Sequence, residues 1–455
     1  MKPIRFYLGM ILARFSYIAL RILGKNATQF PGVIGMKVCP NILKYLEVSD
    51  KVIAITGTNG KTTTTNMIAS FLEGQGVDLL ANNLGSNIEG GIISALLTST
   101  TFFGKNKKEM AVLEVDERSS PYIFPYINPD IIVITNLFRD SYKRNADVEF
   151  ISSILEKSIP KSSLLILNAE DPLASNICKD NPRKYFSIAA QEFEEEVRDN
   201  IVKDLVYCPS CDHKLIFDFN RYHHVGFVHC EKCDYSSPRA DYLISRIEND
   251  KIIIKEGESF YSYHSGASRI TDNYNKIAVI SVLREMGYSH DEIAEYFNKI
   301  KVVESRYNET LVGNKRIISM LAKAQNPVAN SLAYDFIRKQ ESWGSKTIIL
   351  MNETYTHKQN YNSIENMAWL YDGDYEYLNI PSIKKIFCMG QHNLECKIRL
   401  LFAGIDENII QLLDPSYNLD INIETDTTVI VHGAKNIAIA SQFKDMLVRR
   451  IKNEN

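Results

Sequence analysis

Tryptophan is almost missing from this chain, with two in 455 residues, and cysteine is scarce at eight. Eight thiols are few for such a length, and four of them fall in two CxxC pairs. That usage argues against a disulfide framework and for metal binding in a reducing, cytoplasmic setting. An excess of charge of either sign is lacking too: a net −3 leaves nothing in the overall balance that calls for nucleic acid. No internal repeat or low-complexity tract is present. Nor does any uncharged apolar run reach the roughly 18 residues of a membrane span. The most apolar stretch, "RFYLGMILARFSYIALRILG" (Arg5 to Gly24), is interrupted by Arg14 and Arg21 and has no small-residue cleavage site, so a signal peptide is not expected. It reads either as a helix packed on the protein's own core or as a basic amphipathic helix on a membrane surface, at the inner face. What is left, 45% hydrophobic and 24% charged residues, describes an ordinary globular protein with length for two or three cores.

The stretch "AITGTNGKTTTTN" (Ala54 to Asn66) carries the first chemistry. "VIAIT" is a β-branched, buried-type strand, and "GTNGK" is a turn in which two glycines free the backbone. From Thr62 to Gly74 the spacing of Ile68, Phe71 and Leu72 predicts a helix. Strand, glycine turn and helix N-terminus make a cradle of amide N–H groups and helix dipole for phosphate. Ile55 stands where the commoner Walker loop has its first glycine, leaving the denser G-T-N-G-K-T-T. Gly57, Thr58, Asn59, Gly60, Lys61, Thr62 and Thr63 are thus the expected nucleotide contacts. Lys61 would reach the β- and γ-phosphates and the Thr62 hydroxyl would ligate Mg²⁺, with ATP the expected nucleotide. The plain alternative is an ordinary polar turn between strand and helix.

Further strands recur at "MAVLEVDE" (Met110 to Glu117), "DIIVITN" (Asp130 to Asn136) and "SLLILN" (Ser163 to Asn168), separated by helical stretches. This is the rhythm of a parallel α/β sheet. Then come "CPSC" and "CEKC", giving Cys208, Cys211, Cys230 and Cys233 in a C-x2-C-x18-C-x2-C pattern. Two such knuckles close a tetrahedral shell of four thiolates around Zn²⁺, with no open position, so the expected role is structural. The block mixes basic with acidic residues and is not a nucleic-acid patch. Short strands ("KIIIKEGESFYSY") and a helix ("NKIAVISVLREMG", Asn275 to Gly287) follow, and the α/β rhythm restarts at "KTIILM", "KIFCMG" and "TTVIVHG". The expected division is a lead-in at 1–48, a central ATP-binding domain at 49–310 with the ribbon inserted at about 203–240, and a C-terminal α/β domain at 311–455.

Ligands of an α/β sheet gather at the C-terminal ends of its strands. That makes Glu114, Asp116 and Glu117 candidates to complete the Mg²⁺ site, with Glu114 preferred. The next strand end offers Asn136, Arg139 and Asp140 to the same cleft.

In combination, "GTNGKTT", "EVDE", "TNLFRD", "LNAEDP" and "YNKIAVISVLREMG", followed by a separate C-terminal α/β domain, resemble the Mur ligases. The four-cysteine insertion narrows the resemblance to the MurT branch of that family. It implies an ATP-dependent carbon–nitrogen ligase of peptidoglycan biosynthesis that activates the D-glutamate α-carboxylate of lipid II as acyl phosphate. The amide to D-isoglutamine would then be made with ammonia from a GatD-like glutaminase partner. By motif, the resemblance gives Lys61 and Thr62 to phosphate and Mg²⁺, Glu114 to the metal, Asn275 to the adenine side and Arg306 to the phosphates. The phosphate strand begins near residue 51, leaving no stretch for the domain with which most Mur ligases hold a UDP-sugar. A lipid-linked muropeptide is therefore the expected substrate.

The departures from the family pattern are specific. Asp272 stands at an expected Asn, and Ser141 and Lys143 alter the segment after "FRD". Asn366 occupies the place of the aspartate that completes the partner's Cys–His triad, a role Asn can also fill. Glu365, Asp372 and Asp374 are the other acids within reach of that role. Two further functions compete: a related ligase adding an amino acid to another glutamyl or peptide acceptor, and a zinc-ribbon ATPase acting as a binding module. The lack of a basic stripe counts against the second.

Overall fold

A computed structural model describes residues 2–82, 86–139, 147–195, 199–266, 269–299, 307–323, 326–351, 367–390, 392–413 and 424–454. The chain forms two compact units: Met1–Phe138, Asp147–Arg198 and Asp204–Lys301 make the first, and Val302–Asn455 with Arg139–Ala146 and Asp199–Lys203 the second.

The first unit opens with helices α1 (Ile4–Ile22) and α2 (Phe30–Val38), then alternates β1 (Lys51–Thr56), α3 (Lys61–Gly74), β2 (Leu79–Ala81), α4 (Glu89–Ser99), β3 (Met110–Glu114), α5 (Ser120–Ile127) and β4 (Ile131–Ile134). It continues through α6 (Val148–Ser158), β5 (Leu164–Asn168), α7 (Pro172–Ser175) and β6 (Arg183–Ile188) to a hairpin of β7 (Ile216–Tyr222) and β8 (Val225–His229). Strands β9 (Tyr242–Glu248), β10 (Lys251–Glu256) and β11 (Ser259–His264) and helices α8 (Ile270–Glu285) and α9 (His290–Lys299) complete it.

Nine strands form one sheet in the order β11-β10-β9-β6-β5-β4-β1-β3-β2. Its strands from β9 to β2 run parallel, and β10 and β11 add an antiparallel edge. Strands β3 and β4 are buried along their whole length, as expected of central parallel strands covered on both faces. Because β1 lies between β3 and β4, its C-terminal end is where chain connections diverge to the two sides, the usual site of a ligand crevice.

Helix α1 packs Phe6, Met10 and Ala13 inward, each fully buried. Beneath it, α2 and α4 approach so closely that a Cβ at Gly32 would overlap the Gly90 carbonyl oxygen. The core-packed reading of this segment holds for its inner side, while Ile4, Phe15 and Ile22 on the outer side stay exposed. No helix among the described residues is long and apolar enough to cross a membrane.

The second unit is built from β12 (Tyr307–Val312), β13 (Lys315–Leu321), α10 (Pro327–Arg338), β14 (Lys346–Met351), α11 (Trp369–Asp372), β15 (Ile383–Met389), α12 (Asn393–Phe402), β16 (Ile410–Leu413), β17 (Thr427–His432) and α13 (Ile437–Glu454). Its sheet has the order β12-β13-β17-β14-β15-β16, parallel except for the β12–β13 hairpin. Apolar clusters cover both faces.

Candidate nucleotide site and four-cysteine ribbon

The loop between β1 and α3 follows from two glycines. Gly57 and Gly60 have φ of 115° and 90°, where any other residue would be strained. A Cβ on Gly57 would also overlap the Thr135 hydroxyl, and one on Gly60 the Asn275 side-chain oxygen. The end of β4 fastens the loop. Thr58 N–H donates to the Asn136 carbonyl (2.8 Å), Asn59 N–H to Asn136 Oδ1 (2.9 Å), and Asn136 Nδ2 back to the Asn59 carbonyl (3.0 Å). The Thr58 hydroxyl donates to the Phe138 carbonyl (3.0 Å) and accepts from Phe138 N–H (2.8 Å). No side chain caps the N-terminus of α3, so its first amides face the loop with the helix dipole behind them. The Thr62 side chain is exposed at this end.

The Lys61 side chain is only 12% exposed, and its ammonium pairs with Glu117 Oε1 at 2.9 Å while also donating to the Gly57 carbonyl. Burial pushes Lys61 down, but the charges of Glu117, Glu114 and Asp116 outweigh it and hold the lysine above its ordinary value. The same burial raises Glu117 despite Lys61. The strand ends earlier than "VLEVDE" suggests. Val115 N–H bonds the Ile55 carbonyl, and Asp116 then caps a short 3-10 turn at Glu117–Ser119 that brings Glu117 back over Lys61. Glu114 lies beside Ile55 in register, and its Oε1 accepts from Asn87 Nδ2 at 2.9 Å. Asn275 packs on Gly60, within a helix that begins at Ile270 and not at Asn275. The loop residues, Lys61, Glu114, Glu117, Asn136 and Asn275 therefore gather at one strand-end crevice. Arg139 pairs with Asp372 at 3.3 Å within the second unit. Asp374 is buried and accepts from Asn200 Nδ2 (2.8 Å) and Ile201 N–H (2.7 Å). Asp140, Ser141, Lys143, Arg306, Glu365 and Asn366 lie outside the described residues.

The four ribbon cysteines converge. The Sγ atoms of Cys208, Cys211, Cys230 and Cys233 all lie within 4.8 Å of one another, with 3.6 Å between Cys208 and Cys233 and 3.5 Å between Cys211 and Cys230. Four thiolates so grouped fit a tetrahedral Zn²⁺ and would supply all its ligands.

The far end of the ribbon was not legible as functional. At the β7–β8 turn, Arg221 is fully buried, with its guanidinium 3.3 Å from Glu170 and 3.2 Å from Glu194. His224 lies 3.4 Å from Asp171, and its ring centroid is 4.5 Å from that of Phe138. Burial pushes His224 down, but Asp171 and Asp204 outweigh it and raise it above its ordinary value. Asp171 also accepts from Leu137 N–H at 2.7 Å, and Tyr222 stacks on Phe138 at 5.9 Å. The ribbon tip is thus joined, through Phe138, to the Thr58 hydroxyl of the phosphate loop. The signal that could have found it is the motif "LNAEDP", whose two acids need buried cations somewhere in the chain.

Two family models match: the Mur ligase middle domain at residues 55–226 and the MurT ligase C-terminal domain at 323–443. The chain is 31% identical over 415 residues to the subunit MurT of the glutamine-hydrolysing lipid II isoglutaminyl synthase of Staphylococcus aureus (strain COL), covering 88% of each protein. It is 28% identical over 403 residues to the subunit of the same name from Streptococcus pneumoniae, covering 87% of each. Among solved structures, a pseudomurein peptide ligase type C from Methanothermus fervidus superposes with a TM-score of 0.64 at 20% identity, over 89% of this chain and 80% of that one. MurF of Acinetobacter baumannii gives 0.57 at 15% identity, over 90% of this chain and 80% of that one. These two show the fold, and the bacterial subunits show more: this chain belongs to the Mur ligase family, in its MurT branch.

Proposed function

We propose that this chain is the synthetase subunit of a lipid II isoglutaminyl synthase, an ATP-dependent ligase that amidates the D-glutamate α-carboxylate of lipid II. One observation carries the reading: a phosphate loop with a largely buried lysine and an uncapped helix, in a chain 31% identical over 88% of its length to a subunit of that enzyme. Mur ligases use ATP and Mg²⁺. Here Thr62 and Glu114 would hold the metal, which when bound would neutralise charge on the phosphates. Lys61 and the α3 amides would bind the γ-phosphate and stabilise charge as a carboxylate oxygen attacks phosphorus and ADP leaves. Ammonia would then attack the acyl carbon and displace phosphate. Arg306 would face the phosphates, and Asn275 would support the loop from the adenine side.

Ammonia is scarce at neutral pH and glutamine is not, so a GatD-like glutaminase partner is the natural source. Such a partner would dock on the C-terminal unit, with Asn366 orienting its catalytic histidine. Asp374 is engaged by Asn200 and Ile201, and Asp372 by Arg139, which favours Asn366 or Glu365 for that role. The substrate carries a lipid, so the enzyme would work at the inner face of the membrane.

The test is amidation of lipid II by the co-purified pair, given ATP, Mg²⁺ and glutamine, and followed by mass spectrometry. Lys61→Ala should lower turnover by about 10²–10³-fold, the usual cost of removing one charge-stabilising donor. Near-normal amidation by a folded Lys61→Ala protein would refute the site. Wild-type protein that hydrolyses ATP only when offered a different acceptor would refute the substrate.

A further inference from the structure

The outer face of α1 has no role in the chemistry above, and it exposes a row of large apolar side chains. Ile4, Leu8, Ile11, Phe15, Ile18 and Ile22 recur every three or four residues along one stripe, and each is 48–80% exposed. Beside its N-terminal end, the loop after α4 adds Phe103, 62% exposed. That loop is fixed in place: Tyr7 lies 6.2 Å from the Phe102 ring and 6.3 Å from Phe103, and the Lys2 ammonium donates to the Phe103 carbonyl at 2.6 Å.

The charges around the stripe are mostly basic, the exposed Glu47 carboxylate on Asn106 N–H (3.3 Å) being the acid on the neighbouring loop. No acidic residue precedes Glu47, whereas the same stretch holds seven lysines and arginines. Arg5, Arg21 and Lys25 on or beside α1, and Lys105 and Lys107 on the loop, are exposed, and among the described residues none has an ion-pair partner. Arg14 is used differently: its Nη2 donates to the carbonyls of Leu97, Thr100 and Thr101, at 3.1, 2.6 and 3.0 Å. Together with buried Phe6, Met10 and Ala13, this bond set locks the helix lengthwise on the domain.

The geometry points to a docking face for an anionic lipid bilayer: α1 lies in the plane of the membrane surface, its apolar stripe and Phe103 sit among the acyl chains, and the basic rim sits at the headgroups. A helix with an apolar face and a predominantly basic border is the form that binds such interfaces. A second copy of the chain fits worse, because a two-fold contact would set the basic rim against itself. As an account of how the lipid-linked substrate is reached, the inference rests on the reading above, but its test needs no substrate.

Purified full-length protein should co-sediment with vesicles of equal parts phosphatidylcholine and phosphatidylglycerol, and weakly with phosphatidylcholine alone. Phe15→Asp should lower the partition coefficient at least tenfold. Arg21→Glu with Lys25→Glu should lower it in steps, each basic residue at such a surface being worth about fivefold, and added salt should act in the same direction. All three side chains are exposed, so these variants leave the fold intact, as thermal unfolding would verify. Equal binding by wild type and Phe15→Asp overturns the proposal, as does absence of binding to both vesicles. A concentration-dependent dimer without lipid that Phe15→Asp abolishes also overturns it, and assigns the face to a second copy. Amidation of a delipidated, water-soluble muropeptide should be the same in wild type and Phe15→Asp. That measurement reports on the ligase reading alone, so the two cannot be confused.

Discussion

Glu117→Gln isolates the least anticipated interaction at the nucleotide site. The substitution keeps side-chain shape and one acceptor for Lys61 but removes the negative charge that holds a buried ammonium at 2.9 Å. Side-chain exposure is only 12% for Lys61 and 2% for Glu117, so water cannot take over. Breaking a buried pair from one side costs about 3–5 kcal/mol. The retained neutral hydrogen bond returns about 1 kcal/mol, so the nucleotide-free protein should lose about 2–4 kcal/mol. When ATP binds, its phosphates offer Lys61 another anion, and the same loss should largely vanish. Unfolding followed by differential scanning fluorimetry, with and without Mg²⁺-ATP, reads both halves of this argument. Glu117→Gln should lower the nucleotide-free midpoint by several degrees and should widen the stabilisation given by ATP, with KM for ATP unchanged or lower. An unaltered nucleotide-free midpoint would show that the pair contributes nothing. A midpoint that falls equally with and without ATP would show that Glu117, not phosphate, is the lasting partner of Lys61.

Metal analysis of protein purified without chelator should give about one zinc per chain, and Cys211→Ser with Cys233→Ser should remove it. His224 is raised in the folded state, so its contribution to stability is fully present below the unfolded value of about 6.5 and is lost as pH rises through the folded value. Urea unfolding of His224→Gln should therefore lack the decline that wild type shows across that range, and parallel pH profiles would refute the assignment. In the co-purified pair, Asn366→Ala should lower glutaminase activity while Asn366→Asp retains or raises it, because a charged acceptor holds a histidine more strongly. Ligation supplied with excess ammonium should ignore both changes. Unchanged glutaminase activity in Asn366→Ala would move the role to Glu365.

The phosphate loop and the cysteine set were legible because each depends on local order: glycines, a lysine and hydroxyls within one turn, and thiols two residues apart. The parallel sheet was legible through β-branched runs such as Ile131–Ile134. Two things were not. Which acid meets Lys61 depends on where β3 stops, and that is set by Val115 bonding Ile55 from a strand some sixty residues earlier in the chain, a pairing that local pattern does not contain. The start of α8 at Ile270 was hidden because "TDNYN" is polar, yet Asn273, Tyr274 and Asn275 are all buried. Polar residues there serve the loop and the ribbon, so the apolar periodicity used to find helices fails where the site begins.

The insertion between β6 and β9 looks like a detachable module, since those two strands are parallel neighbours and the four cysteines form a cluster of their own. Its tip makes it otherwise. A shortened chain that joined β6 directly to β9 would take away Arg221 and His224 and leave Glu170 and Asp171, both fully buried, without their cations. It would also strip Tyr222 from Phe138, whose backbone holds the Thr58 hydroxyl. The ribbon behaves as a rivet through the nucleotide domain: a metal on the four thiols would set the head, and Arg221, Tyr222 and His224 are the shank. A chain without the insertion would have to give any acids at the positions of Glu170 and Asp171 other cations, or do without the acids.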